Sequence, residues 1–197
     1  MEEHYIFGYG SLINHESRAK TGYSGSSIPV RVQGVARSWN QVSAKSRICS
    51  VGVTLQNDAT CNGVLFPVSE KELPKFDLRE SHYERVMLES KQIFPWDSAN
   101  FGPGKFWTYL LNKQRAPSQQ CPIAQSYIDV AMSGCLEINE AFAEEFVSTT
   151  RGWCPYMIND RSNPQYRMPM KEVPFAELID QILKSQMTTS SRKSIPA

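Results

Sequence analysis

The chain lacks most of the features that mark specialised protein classes, and each absence narrows the reading. Its 197 residues contain no apolar run approaching the ~20 needed to cross a bilayer. The N-terminus, Met1-Glu2-Glu3-His4, has neither the basic start nor the apolar stretch of a secretory leader. Lysine and arginine number 21 against 20 acidic residues, a formal charge of +1, so neither nucleic acid nor membrane is expected as a partner. The five cysteines are an odd set without a C-x-x-C pair, and this supports neither a disulfide framework nor a zinc site. With no N-x-S/T acceptor either, reduced thiols and a cytoplasmic location are the economical expectation. The three histidines, His4, His15 and His82, fall at no metal-ligand spacing, so no metal is expected. Gly8-Tyr9-Gly10-Ser11 lacks the third glycine of a dinucleotide fingerprint, and no G-x-S-x-G nucleophile elbow occurs.

What is present describes an ordinary globular chain, 41% hydrophobic and 21% charged. Residues 1–186 read as one domain with a C-terminal helical extension, and 187–197, rich in Ser, Thr and basic residues, as a disordered tail. The first half is strand-rich, with strands expected at Tyr5–Phe7, Arg31–Trp39, Cys49–Leu55, Cys61–Val68, Arg85–Glu89 and Phe106–Leu111. The polar run Gln56-Asn57-Asp58-Ala59 reads as a turn between two of them. One helix interrupts the strands. Ser69 and Glu72 have capping-box spacing, but Pro74 predicts a late start or a kink. Beyond residue 120 the period changes. Ile128, Ala131, Met132, Cys135 and Leu136 form one apolar helical face, Phe142 and Phe146 mark a second helix, and Phe175–Lys184 a third. The class is α+β.

Two stretches carry candidate chemistry. A glycine-paired turn directly after a strand can aim successive N–H groups into one concavity suited to a carboxylate or oxyanion, although a plain structural turn is the commoner use. In Phe76–Val86, Glu80 ends a predicted helix just before a strand. Taken in isolation, a charged solvated face is clearly the better explanation of that run. If the junction borders an apolar pocket, however, desolvation lifts the carboxyl pKa and fits it for proton transfer. A Ser11–His82–Asp77 triad can be drawn on paper, but nothing in the sequence brings the three together. Asn159–Lys171 is locally basic with few aromatics and reads as a surface loop.

Taken in order, Tyr9-Gly10-Ser11-Leu12-Ile13, Val32–Asn40, Asp77-Leu78-Arg79-Glu80 with Tyr83, and Tyr127 with Gly134 and Glu137 resemble the γ-glutamylcyclotransferase-like family. The resemblance implies a small mixed β-barrel with surrounding helices, no cofactor, and release of 5-oxoproline from a small-molecule γ-glutamyl substrate. It also implies Glu80 as general acid/base and Tyr9, Gly10, Ser11, Leu12, Ile13, Asn14 and Tyr127 as substrate-binding residues. The chemistry suits these residue types: the α-amine closes on the γ-carbonyl, so one titratable carboxylate can take a proton from that amine and hand one to the leaving amine. Because the reaction is intramolecular, holding the folded-back conformer supplies much of the rate. Two alternatives stay open, γ-glutamyl acyl transfer to an amine or carrier and a non-catalytic binding module on the same fold. The leaving group is equally open between glutathione, γ-glutamyl amino acids and γ-glutamylamines. A homodimer is as compatible with the sequence as a monomer. Trp153–Arg161 reads either as a lid or as cover for an apolar edge of the sheet.

Overall fold

Tyr5, Ile6 and Phe7 are apolar without alternation, which suits a strand covered on both faces and paired along both edges. They form β1 (His4–Gly8), antiparallel to β3 (Cys49–Val68) on one side and parallel to β6 (Lys105–Leu111) on the other. The computed structural model describes residues 3–42, 47–111 and 113–193, with side chains to residue 185. β2 (Ile28–Val42) makes a long antiparallel ribbon with β3, while β4 (Tyr83–Leu88) extends the sheet beyond β6 and β5 (Ile93–Pro95) extends it beyond β2. Two short strands, β7 (Ile123–Ala124) and β8 (Met157–Ile158), join at the start of β3, completing an eight-stranded mixed sheet.

The expected turn at Gln56–Ala59 is instead a bulge inside β3. Gln33 pairs with Thr60 and Val35 with Leu55, so both flanks of the polar run stay on the same partner strand. Gly34 absorbs the step opposite at φ 83°, a backbone region glycine enters without a Cβ penalty. Ladder senses show how sharply the ribbon bends here. The second half of β3 is antiparallel to β1, yet Val53 in its first half lies parallel to β6 at Leu110, and β6 is parallel to β1. β1, β3 and β6 thus form a pairing circuit closed through one residue pair. The end strands β4 and β5 pair with β6 and β2 and not with each other, so the expected barrel is not a closed ladder.

The first α-helix, α1 (His15–Ala19), follows a 3-10 turn at Ser11–Ile13, neither of which was legible in the sequence. The helix α2 (Leu73–Arg79) starts late, as Pro74 requires, with the proline in its first turn. The Ser69–Glu72 capping box does not form there. The Glu72 carboxylate accepts from Tyr23 N at 2.8 Å and pairs with Lys75 Nζ at 2.7 Å. α3 (Gln125–Leu136) was expected to bury one face but is buried all round, from Gln125 to Cys135. Two of its polar side chains are met by the chain beyond residue 150, Ser126 by Asp160 and Asp129 by Arg161. Arg161 pairs with Asp129 at 2.8 Å and with Asp180 at 2.8 Å, closing that face with charge-assisted bonds. α4 (Glu140–Thr149) is capped by Asn139, whose Oδ1 accepts from Phe142 N at 2.8 Å.

The last helix, α5 (Ala176–Lys193), continues into the tail expected to be disordered, since propagating a turn already nucleated is easier than starting one. The remaining tail residues, 194–197, lie outside the described residues. No described helix is long and apolar enough to cross a membrane.

Phe7, Phe66, Phe76, Phe142 and Phe146 fill the core between sheet and helices. Arg37 is buried among them. Its guanidinium donates to Thr150 Oγ1 at 2.7 Å, Asn62 O at 2.7 Å, Asn62 Oδ1 at 2.8 Å, Phe146 O at 3.0 Å, Thr149 Oγ1 at 3.1 Å and Tyr9 O at 3.2 Å. Full hydrogen bonding keeps such a charge tolerable in the interior. The expectation of a buried thiol at Cys135 holds.

Candidate active site

A cavity of about 330 Å³ opens where the end of β1, the start of β3, the α2–β4 junction and α3 converge. The glycine loop forms one wall. Gly10, Ser11 and Leu12 line the cavity, and the 3-10 turn leaves its leading N–H groups outside the helical ladder. Neither Gly8 nor Gly10 has a positive φ, so the turn does not need glycine for conformational freedom. Close packing is the reason at Gly10: a Cβ there would lie 2.5 Å from the Tyr127 hydroxyl and 2.7 Å from Val51 Cγ2. The loop is pressed from below by α3, where a Cβ on Gly134 would lie 2.5 Å from Asn14 N and 2.7 Å from the Ile13 carbonyl carbon.

Glu80 ends α2 on the facing wall. Its side chain is only 16% exposed, and its Oε1 accepts from Arg79 Nε at 3.1 Å. Burial pushes the carboxyl above its ordinary value, against the pull of Arg79, Arg167 and His82 towards the ionised form. Arg79 then ties Glu80 to the glycine loop. It donates to Ser11 Oγ at 3.1 Å, to Ser17 Oγ at 2.9 Å, to Ser17 O at 2.6 Å and to Thr21 Oγ1 at 2.5 Å.

Five tyrosines, Tyr9, Tyr83, Tyr109, Tyr127 and Tyr166, line the cavity with this pair. Burial raises the phenols of Tyr9, Tyr83, Tyr109 and Tyr127, so all four stay neutral and act as hydrogen-bond groups, not bases, at neutral pH. Tyr9 donates to Tyr109 O at 2.6 Å, and Tyr83 to Val51 O at 3.3 Å. Glu80 supplies the single carboxylate on the cavity wall among the described residues.

Of the residues expected from the sequence, Tyr9, Gly10, Ser11, Leu12, Glu80 and Tyr127 are brought together around the cavity. Ile13 and Asn14 are not on its wall. The 3-10 turn carries them down against α3, where Asn14 Oδ1 caps α1 by accepting from Ser17 N at 2.9 Å, and Ile13 is buried. The triad drawn from Ser11, His82 and Asp77 does not assemble, because Asp77 accepts from Tyr109 at 2.9 Å and pairs with Arg85 at 3.2 Å. Tyr109, Tyr166 and Arg167 line the cavity and were not anticipated. Tyr109 sits in a strand that reads as ordinary core. The other two come from the basic stretch read as a surface loop, and the only available signal was the tyrosine within it. Among the described residues no three His, Cys, Asp or Glu side chains are arranged to hold a metal ion.

Comparison with known proteins agrees with this architecture. A solved structure named gamma-glutamyl cyclotransferase is 15% identical with a TM-score of 0.61, over 93% of this chain and 99% of that one. An uncharacterized protein from Homo sapiens gives 14% identity and a TM-score of 0.59, over 93% of this chain and 99% of its own. YkqA from Bacillus subtilis gives 16% identity and a TM-score of 0.55, over 77% of this chain and 57% of that protein. At such identities the likeness is one of fold. No curated protein matches the chain in sequence. The sequence model described as gamma-glutamyl cyclotransferase, AIG2-like, matches residues 6–128, from β1 through the first turn of α3 and thus across the loop, Glu80 and Tyr127. The chain belongs to the gamma-glutamyl cyclotransferase, AIG2-like family.

Proposed function

We propose that the chain releases 5-oxoproline from γ-glutamyl amides, with Glu80 as general acid/base. The observation that carries this reading is the placement of Glu80, largely buried in the wall of a cavity whose other wall is the Gly10–Leu12 main chain. A carboxyl raised by burial is closer to the pH at which it must both take and give a proton. The substrate folds back so that its α-nitrogen approaches the γ-carbonyl carbon. The α-ammonium first gives one proton to solvent. As the free amine attacks, Glu80 accepts a second proton from that nitrogen, the new C–N bond closes a five-membered ring, and the carbonyl oxygen becomes an oxyanion. Main-chain donors at Gly10–Leu12 are suited to the oxyanion or to the α-carboxylate. Glu80 then returns the proton to the leaving nitrogen as the amide C–N bond breaks. The products are 5-oxoproline and a free amine, with no net proton change at the enzyme. The neutral tyrosines orient the folded conformer and exclude water.

The test is an assay of 5-oxoproline from glutathione, γ-glutamyl amino acids and γ-glutamyl-lysine. Glu80→Gln keeps shape and hydrogen bonding but cannot titrate, and it should lower kcat by about two to four orders of magnitude. Turnover that survives the substitution removes Glu80 from the mechanism. For the unaltered protein, kcat/KM should fall as pH drops through the raised carboxyl pKa, because the base is lost on protonation.

A further inference from the structure

The cavity wall carries two arginines and one glutamate, and the arginines differ in how far their donors are engaged. Arg79 is saturated. Its guanidinium reaches Glu80, Ser17 O, Thr21 Oγ1, Ser11 Oγ and Ser17 Oγ, which accounts for every N–H that the group possesses. It has nothing left to offer a ligand. Arg167 makes one hydrogen bond, from Nη2 to Arg79 O at 3.2 Å, and no carboxylate of the described residues accepts a bond from it, although its charge favours the ionised form of Glu80. That bond pins the guanidinium at the end of α2, next to Glu80 in sequence, while the side chain stays exposed at the rim.

Charge balance gives this free fork a direction. With Glu80 ionised, the two arginines leave one net positive charge on the wall. A γ-glutamyl derivative of a simple amine is a neutral zwitterion, whereas a γ-glutamyl amino acid carries one further carboxylate and is a net anion. The glutamyl half must fold back towards Glu80 and the Gly10–Leu12 loop for the ring to close, so the leaving half lies towards the rim. Resting on the cyclotransferase reading above, we propose that Arg167 binds a carboxylate carried by the leaving amine. The substrates are then γ-glutamyl amino acids or peptides, not γ-glutamyl derivatives of simple amines. A planar, permanently charged fork at a solvated rim suits such a carboxylate, which stays partly hydrated while bound.

The test compares γ-glutamyl-alanine with γ-glutamyl-ethylamide, which differ only in that carboxylate, using 5-oxoproline release by the full chain. The unaltered protein should favour γ-glutamyl-alanine by about tenfold in kcat/KM, the lower end for a charge-assisted bond because the site is exposed. Arg167→Gln should abolish that preference, mainly by raising KM for γ-glutamyl-alanine, so that γ-glutamyl-alanine loses about tenfold more in kcat/KM than the ethylamide does. Arg167→Lys should restore part of the preference, as a point charge without the fork. Equal losses on both compounds would assign Arg167 to the glutamyl half or to folding and overturn the inference. So would an unaltered protein that processes the ethylamide as well as the acid. In both cases the cyclotransferase reading survives. If neither compound yields 5-oxoproline, both fall together.

Discussion

At the scale of single residues, the role proposed for Glu80 sets function against stability. Its carboxyl is held above its ordinary value in the folded chain, so the folded state binds more protons than the unfolded state between those two values. Stability therefore falls as pH rises through that window, and the ionised side chain remains unfavourable to folding above it. Glu80→Gln should accordingly melt higher than the parent at neutral pH. The difference should shrink as the pH is lowered through the raised value, which thermal melts across an acidic-to-neutral series would read. A variant less stable than the parent at neutral pH would mean that the bond to Arg79 outweighs desolvation. Glu80 was legible in the sequence through the family resemblance, since its local run taken alone reads as a solvated charged face. Arg167 was not. Its place on the cavity wall depends on a long excursion of chain, and nothing near it in sequence marks it.

Among the elements, the contact of α3 with the turn after β1 shapes the site most. Gly134→Ala should add up to ~1 kcal/mol of helix propensity, yet its Cβ would run into the main chain of Ile13 and Asn14, which cannot swing aside. The expected net effect is a loss of about 1–3 kcal/mol by denaturant unfolding, as for other overpacked sites. Turnover should fall as well, because the displaced segment continues into Ser11 and Gly10. Helical periodicity located α3 and α4, and Pro74 located the start of α2, since each depends on local spacing. The 3-10 turn and α1 were missed because their few residues show no period. The two-residue strands β7 and β8 exist only through pairing with distant chain. Gln56–Ala59 has turn composition but no reversal: the ladder to β2 on both sides overrode local preference.

For the whole molecule, the stretch from Trp153 to Arg161 packs on the sheet and none of its residues lines the cavity, whereas the chain just beyond it does. Trp153 packs on Trp39, β8 joins the sheet, and Tyr166 and Arg167 complete the cavity wall. Asp160 anchors the arrangement. Its buried carboxylate accepts from Ser126 N at 2.7 Å and Ser126 Oγ at 2.6 Å at the start of α3, and from Gln165 N at 2.7 Å. Asp160→Ala should reduce stability by about 2–4 kcal/mol, because buried donors lose a charged acceptor. Assayed well below its melting temperature, the variant should show a raised KM with a smaller change in kcat, since Glu80 and the glycine loop are held by other contacts. A fall in kcat alone would place the role of Asp160 elsewhere. Fold class and half of the cavity were thus readable from patterns within the first 140 residues. The closing wall comes from a region whose composition is that of a loop.

The guanidinium of Arg37 has a consequence for how damage spreads through this protein. One rigid planar group grips the last turn of α4, the middle of β3 and the carbonyl of Tyr9, so those three places move as a unit. A lesion at Thr149 or Thr150 should therefore be transmitted as a misaligned Tyr9 on the cavity wall. A search for inactivating changes should return such positions although they do not line the cavity.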